Sequence, residues 1–173
     1  MNLMRLTSNL LFIFCIIISL VSCNAGLEPN NSHSPIGKTY LSGTITYKGG
    51  KDNWKFAKDS IVSIRVVAFK HYPDSSGILN DILSGNAFFT TESLPFFVDS
   101  SSYSIEIAAL RVELLYIGVA QQYGADLTKQ QRVIGLYTLS GDNTKPSSIT
   151  VEKDKINRAD IFVDFENLPP QPF

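Results

Sequence analysis

Few residues of this chain have the types and spacing that catalysis requires. Of the two histidines, His33 lies in a polar stretch, so His71 is the histidine available to a folded site. His71 and Asp74 could form a hydrolytic triad with a serine, but no Gly-x-Ser-x-Gly motif accompanies them. A small hydrolase that uses His71 is therefore kept as an alternative, and the sequence predicts no catalytic residue.

Three aromatic residues are compatible with ligand binding, because a sugar ring can stack on an exposed aromatic face. Trp54 and Phe56 lie in the charged segment KDNWKFAKD, and Tyr72 begins a later loop. We take these three residues as a candidate ligand surface, which would suit a carbohydrate-capture accessory protein. The alternative is that Trp54 and Phe56 fold back as a lid over the open end of the domain, as apolar loop residues commonly do.

The cysteine inventory excludes thiol chemistry from the folded part of the chain. The two cysteines are Cys15, inside an apolar N-terminal run, and Cys23, just after it. Disulfides, cysteine-based zinc sites and thiol nucleophiles are therefore not expected in the folded domain. Asp74, Asn80 and Asp81 lie around Gly77 but do not form an Asp-x-Asp-x-Asp-Gly loop, so the sequence predicts no metal site and no cofactor.

Residues 1–22 have the organisation of a secretory signal peptide. Arg5 supplies a cation, and the apolar or small run Leu10–Val21 is shorter than the roughly 20 residues that span a bilayer as a helix. The last residues of this segment and the next residue form Leu20-Val21-Ser22-Cys23, which resembles the bacterial lipobox. The resemblance implies that Cys23 is lipidated and becomes the new N-terminus. A plain secretory signal that is cut after Ala25 is the alternative.

Residues 23–37 comprise the lipidated cysteine and a flexible linker. The segment NAGLEPNNSHSPIG is polar and rich in Asn, Ser, Pro and Gly. Several acyl chains on Cys23 would form an effectively permanent anchor, because each buried CH₂ contributes about 0.8 kcal/mol to membrane binding. Asn24 is not the Asp that marks inner-membrane retention in enteric bacteria. We therefore expect a lipid-anchored protein of the bacterial cell envelope, in the outer membrane, with the membrane face left open.

The charge balance excludes nucleic acid as a partner. The chain of 173 residues has 15 Lys and Arg against 16 Asp and Glu, and charges of both signs are interleaved along it. Binding to phosphates needs a basic field that this composition does not supply. The expected partners are the membrane, through the acyl anchor on Cys23, and a protein or a glycan.

Residues 38–173 are expected to form one β-rich domain. Tyr40–Tyr47 has the period of two that is typical of a half-buried strand, and Val112–Gln121 is apolar enough to be a central strand buried on both faces. The pattern of Ile78–Leu83 predicts a helix of no more than a turn or two. Six further strands are predicted, at Ile61–Lys70, Ala87–Thr91, Tyr103–Ala108, Val133–Thr138, Ser148–Lys153 and Ala159–Phe165. The pattern predicts an all-β fold, a single antiparallel Greek-key β-sandwich of about seven or eight strands, transthyretin-like or Ig-like.

Two segments resemble the transthyretin-like, carboxypeptidase-regulatory-like β-sandwich of bacterial envelope proteins. Leu41-Ser-Gly-Thr-Ile45 is similar to the first strand of that family, and Leu94-Pro95 followed by Val98–Ile107 is similar to its turn-plus-strand segment. The resemblance implies a non-catalytic module that supports or presents something else. We therefore expect a cell-envelope lipoprotein with a non-catalytic binding or structural module that engages a protein or glycan partner.

Overall fold

The described residues of the computed structural model, 38–57, 60–74, 77–126 and 129–172, are mostly strands. They belong to one unit, Ile36–Phe173, and contain nine strands, a 3₁₀ helix (Gly50–Phe56) and one α-helix, α1 (Ile78–Leu83). The strands are β1 (Thr39–Tyr47), β2 (Ser63–Phe69), β3 (Ala87–Phe89), β4 (Ser100–Ile107), β5 (Arg111–Leu114), β6 (Tyr116–Gln122), β7 (Gln131–Leu136), β8 (Ile149–Glu152) and β9 (Ile161–Val163). The all-β prediction and the short helix are confirmed. Neither helix in this part of the chain has the length and apolar character needed to cross a bilayer.

Seven strands form one mixed sheet in the order β3-β2-β6-β7-β9-β1-β4. Its neighbours pair antiparallel, except that β9 runs parallel to β1, with Ile45 opposite Ile161. The edge strands β3 and β4 contact each other, so the sheet is nearly closed. The expectation of wholly antiparallel pairing therefore fails at β1 and β9, because the chain returns from β8 alongside β1 in the same direction. The Greek-key sandwich stays a prediction.

Strand β1 shows how the alternating pattern builds the core. Leu41 and Ile45 are fully buried, and the alternate residues Ser42 and Thr44 are less buried, as the period of two predicts. Gly43 lies on the same inward face, where a Cβ atom would overlap the carbonyl oxygen of Ala159. A side chain at this position would therefore push the neighbouring segment away from β1.

The predicted strand Val112–Gln121 is two strands that belong to different sheets. At Leu115 the chain leaves the small β5–β8 sheet and enters β6, and the Leu115 amide donates a hydrogen bond to the Phe69 carbonyl. Leu114 and Val151 of the β5–β8 pair are fully buried in the same core as β1 and β4. Strand β6 is buried on both faces, as predicted, but the β5 part of the predicted strand is not, because Glu113 is exposed.

Strand β2 begins later than the sequence predicts. Ile64, Val66 and Ala68 are buried, as expected from the alternation. Val62 continues that alternation but precedes the strand and is 52% exposed. The alternation of apolar residues therefore extends beyond the hydrogen-bonded strand.

Strand directions define two ends of the main sheet. We call the end at which β1 begins the proximal end and the end at which β1 finishes the distal end. Following the pairings around the sheet, β4, β7 and β2 finish at the proximal end, and β6 and β3 begin there. The loop that carries α1 joins β2 to β3 and therefore lies at the proximal end. The 3₁₀ helix joins β1 to β2 and lies at the distal end.

Candidate functional site

The three aromatic residues of the predicted ligand surface are not brought together. Trp54 lies at the distal end, whereas Tyr72 follows β2 at the proximal end. The side chain of Phe56 lies outside the described part of the structure. One ligand of ordinary size cannot contact both Trp54 and Tyr72, because the length of the sheet separates them.

The ring of Trp54 is packed into the core and is 2% exposed. Its ring centroid lies 4.5 Å from that of Tyr47 and 5.0 Å from that of Phe165. The indole Nε1 donates a hydrogen bond of 2.9 Å to the carbonyl oxygen of Val98, so the polar atom of the ring is satisfied. Trp54 therefore covers the distal end of the core, the arrangement of a lid, and offers no free face for stacking a sugar.

Tyr72 is the exposed member of the three, with 61% of its surface accessible. Its ring meets Tyr116 edge to face, with centroids 6.4 Å apart. Tyr116 is buried, and burial raises the pKa of its hydroxyl. Tyr72 thus has a ring face open to solvent beside a buried aromatic pair formed by Phe69 and Tyr116.

His71 and Asp81 form a hydrogen bond at the proximal end, which is an ion pair when His71 is protonated. The Nε2 atom of His71 lies 2.9 Å from Oδ1 of Asp81, and its Nδ1 atom lies 3.0 Å from the carbonyl oxygen of Tyr72. Because a carbonyl and a carboxylate only accept hydrogen bonds, both ring nitrogens serve as donors when the imidazole is protonated. The Tyr72 carbonyl, and then Asp81, therefore raise the pKa of His71 against the opposing effect of desolvation.

This arrangement does not favour general-base catalysis by His71. A general base needs a ring nitrogen with a free lone pair aimed at the proton it removes. Here both nitrogens are directed at acceptors, and no serine hydroxyl is hydrogen-bonded to His71 among the described residues. The pair instead fixes the position of α1 against the end of β2.

Helix α1 has an inverted pattern of burial. Asp81 is 4% exposed, while Leu83 is 78% exposed and Leu79 and Ile82 are also open to solvent. The ion pair with His71 turns Asp81 inward, and the residues around it on the helix are consequently turned outward. A six-residue helix that buries its carboxylate and exposes its aliphatic side chains is not stabilised by those side chains.

A second apolar group lies at the same end, beside the β5–β8 sheet. Leu110 precedes β5, which follows the end of β4, and Ile156 lies between β8 and the segment that runs along the start of β1. The two loops are joined by a hydrogen bond from the Lys153 amide to the Leu110 carbonyl. Both aliphatic side chains are exposed. We call the apolar residues of the two groups together the proximal surface: Tyr72, Leu79, Ile82, Leu83, Leu110 and Ile156.

Sequence reasoning did not find the proximal surface. The segment ILNDIL was recognised as a helical hint, but its one carboxylate would normally face solvent. The signal that could have found the surface is the set of aliphatic residues in turns between polar or charged neighbours, such as Ile156 between Lys155 and Asn157. A single exposed aliphatic residue carries little weight, whereas a group at one end of a domain does.

A shallow depression of about 180 Å³ lies between the loop after β7 and the segment after β9. Its two carboxylates are already compensated by lysines. Asp164 lies 2.7 Å from Lys48 Nζ, and hydrogen bonds from Thr144, together with Lys145, lower the pKa of Asp142 to about 2. No group of three or more metal-ligating side chains occurs in the described ranges. The depression therefore shows no arrangement that would hold a cation.

The predicted lipidation site, Cys23, lies outside the described residues. No protein-family model matches the chain, and comparisons with curated proteins and with solved structures give no significant match. The choice of candidate site therefore depends on the structure alone, and the proximal surface is the site that we select.

Proposed function

We propose that this chain is a lipoprotein of the bacterial cell envelope with a non-catalytic β-rich binding or structural module. The lipobox at residues 20–23 supports acylation of Cys23, and Asn24 supports the outer membrane as the destination. The Greek-key sandwich and the transthyretin-like relationship belong to the same proposal. They are supported by the β-rich sheet and by the short motifs in β1 and β4.

The proximal surface is the observation that carries the binding role. Its aliphatic side chains are exposed although the chain has a large buried core, so they are not needed to complete that core. Apolar groups left together at one end of a domain are typical of a surface that is covered in the working protein. The hydrogen bonds of His71 favour a structural role for the one histidine of the described residues.

A protein partner can bind at edge strand β4. In the described structure, β4 pairs with β1 on one side, while β3, which is much shorter, contacts part of its other side. The outward residues of β4 are polar, with Ser102, Ser104 and Glu106 exposed. Such an edge suits the addition of a strand from a partner, because backbone groups give affinity there without an apolar surface.

A glycan partner has less support. The stacking surface that was expected from Trp54, Phe56 and Tyr72 is reduced to Tyr72 by the burial of Trp54. One exposed tyrosine gives a single stacking face, and no set of convergent polar groups accompanies it in the described residues. Carbohydrate capture is therefore the less supported alternative to protein binding, and both are non-catalytic.

Metabolic labelling with a palmitate analogue tests the anchor. Wild-type protein should incorporate the label and partition into the detergent phase, whereas Cys23→Ser should do neither. Cys15→Ser is the matched control, because that cysteine lies within the predicted signal peptide and its loss should leave labelling unchanged. An unlabelled wild-type protein, or label retained in Cys23→Ser, would overturn the proposal.

Photo-crosslinking tests the protein partner. A photoreactive residue at Ser104, on the outward face of β4, should give one discrete adduct in cells. The same residue at Val62, which is exposed at the distal end, is the control and should give none. Absence of an adduct at Ser104, or equal adducts at both positions, would remove β4 as the binding edge.

A further inference from the structure

The proximal surface lies at the end of the domain where the chain continues toward Cys23. Strand β1 begins at Thr39, and Lys38 next to it pairs with Glu106 near the end of β4, with 2.7 Å between Nζ and Oε1. Only 14 residues, 24–37, separate Lys38 from Cys23 in the sequence. If Cys23 is acylated, the bilayer and the proximal end are therefore joined by a short segment.

The length of this segment limits how far the proximal end can move from the lipid. Fully extended, 14 residues reach about 50 Å. A flexible chain of that length has a root-mean-square span of about 20 Å. That span is comparable to the size of the domain itself, so the proximal end would repeatedly meet the membrane surface.

Exposed apolar side chains are distributed unequally between the two ends. The proximal end carries the six residues of the proximal surface, whereas Val62 and Phe97 are the large apolar side chains exposed in distal loops of the described chain. The remaining exposed examples lie on strands or follow β7: Tyr40, Phe89, Phe162 and Leu139. The end that the chain geometry holds near the bilayer is thus the end that offers aliphatic groups.

The types of side chain also fit the boundary between headgroups and acyl chains. Leucine and isoleucine supply apolar area, and Tyr72 combines an apolar ring with a polar hydroxyl, as residues at membrane interfaces do. Arg111 and Lys155, which adjoin Leu110 and Ile156, both pair with Glu152, and Lys153 is exposed nearby. Glu152 and Asp154 offset two of these three charges, so apolar contact supplies the larger part of the interaction.

We infer that the proximal surface rests on the lipid bilayer, with its aliphatic side chains inserted at the headgroup boundary. The proximal end of the domain then contacts the bilayer, and its distal end and β4 edge are available to a partner. This inference rests on the proposed acylation of Cys23, which supplies the tether. A second copy of the chain or a separate protein would cover the surface in a different way, and the experiment below distinguishes them.

Single-cysteine labelling measures the contact directly. The mature acylated chain, purified from membranes, would be reconstituted into phosphatidylethanolamine and phosphatidylglycerol vesicles. Loss of Cys15 with the signal peptide and acylation of Cys23 leave no other thiol, so one added cysteine can carry a polarity-sensitive fluorophore. The proximal variants are Leu83→Cys and Ile156→Cys, and the matched distal variants are Val62→Cys and Phe97→Cys. All four positions are exposed. The Phe97 ring also contacts Trp54, with centroids 5.7 Å apart, so Val62→Cys is the distal variant that leaves the packing of Trp54 unchanged.

The expected result is a blue-shifted emission at both proximal positions. Insertion to the depth of an interfacial helix should also make quenching by lipids with a shallow acyl-chain spin label at least about twofold stronger there than at the distal positions. Adding Leu79→Glu and Leu83→Glu should abolish the difference measured at Ile156→Cys. The matched control, Val62→Glu, should leave it unchanged.

The outcomes separate the inference from the proposed function. Chains that fail to float with the vesicles and carry no acyl group would contradict the lipoprotein proposal itself. Chains that float, but whose four probes are quenched equally, would overturn the membrane contact and leave the anchor in place. Self-quenching at the proximal positions that rises with protein density would assign the surface to a second copy. Shielding that occurs in cells but not in vesicles would assign it to another protein.

Discussion

The two loops that flank β2 differ in whether their apolar side chains are buried or exposed. Before β2, at the distal end, the 3₁₀ helix turns Trp54 inward against Tyr47 and Phe165. After β2, at the proximal end, α1 turns Asp81 inward and its leucines outward. Both loops contain apolar and charged residues, so composition does not explain the difference.

The difference follows from which polar group finds a partner inside. The indole N–H of Trp54 reaches the Val98 carbonyl, so the whole ring can be buried without leaving an unpaired donor. The carboxylate of Asp81 reaches His71, so α1 is held with its acidic side toward the domain. One polar contact can therefore decide whether the apolar side chains of a short loop element are buried. The partner can be distant in sequence, as Val98 is from Trp54, or lie in the same loop, as His71 does with Asp81.

The largest expected effect is at the distal end. Trp54→Ala removes the ring that covers the core and should lower the free energy of unfolding by about 3–5 kcal/mol. Equilibrium urea unfolding followed by circular dichroism measures this change, since the variant has no tryptophan for fluorescence. Val62→Ala, an exposed position at the same end, should change stability by no more than about 0.5 kcal/mol. Equal effects of the two changes would contradict the assignment of Trp54 to the core.

At the proximal end, the free energy of unfolding should depend on whether His71 alone or both His71 and Asp81 are replaced. His71→Ala leaves the buried carboxylate of Asp81 without this partner and should cost about 1–3 kcal/mol in unfolding free energy. The double variant His71→Ala with Asp81→Leu should recover most of that loss, because an apolar side chain needs no partner in the same place. If the double variant is less stable than His71→Ala alone, Asp81 is held by contacts other than His71.

A smaller effect is expected from pH, again at the proximal end. The Tyr72 carbonyl and Asp81 raise the pKa of His71, so the folded protein holds the proton more tightly than the unfolded chain does. The resulting stabilisation is fully present below about pH 6.5, the pKa of an unperturbed histidine, and is lost as the pH rises through the raised pKa of the folded state. The side chain is 46% exposed, so solvent screening limits the contribution to less than about 1 kcal/mol.

Urea midpoints measured on either side of neutral pH test this dependence. Wild-type protein should become slightly less stable as the pH rises above about 6.5, and His71→Ala should not show that step. Val62→Ala should retain it, because Val62 lies at the other end of the sheet. A step of equal size in His71→Ala would assign the titration to a different group.

Much of the fold could be predicted from the sequence where the signal is local. The alternation in β1, the burial of β6 and the bounds of α1 follow from residues that are neighbours in the chain. The break at Leu115 could not be predicted, because an apolar run has the same pattern whether it continues in one sheet or passes into another. The parallel pairing of β9 with β1 likewise depends on the path of the chain between them.

The candidate site was less predictable because its determinants are far apart in sequence. Trp54 is buried through Val98 and Phe165, which lie 44 and 111 positions later in the chain. The orientation of α1 depends on a contact across ten positions, from His71 to Asp81. Patterns within a loop therefore identified aromatic residues as candidates for binding but could not say which of them would remain exposed.

Replacing the exposed leucines of α1 should affect stability least, and this result can be compared directly with that of Trp54→Ala at the distal end. The double variant Leu79→Ser and Leu83→Ser removes two large apolar side chains, yet both are exposed, so unfolding free energy should change by no more than about 0.5 kcal/mol. The urea experiment used for Trp54→Ala measures it, and a loss above about 1 kcal/mol would show that these leucines support the core after all. An unchanged stability would mean that folding does not require aliphatic residues at this end. These side chains would then be free to make a contact outside the domain, which is the role proposed for the proximal surface.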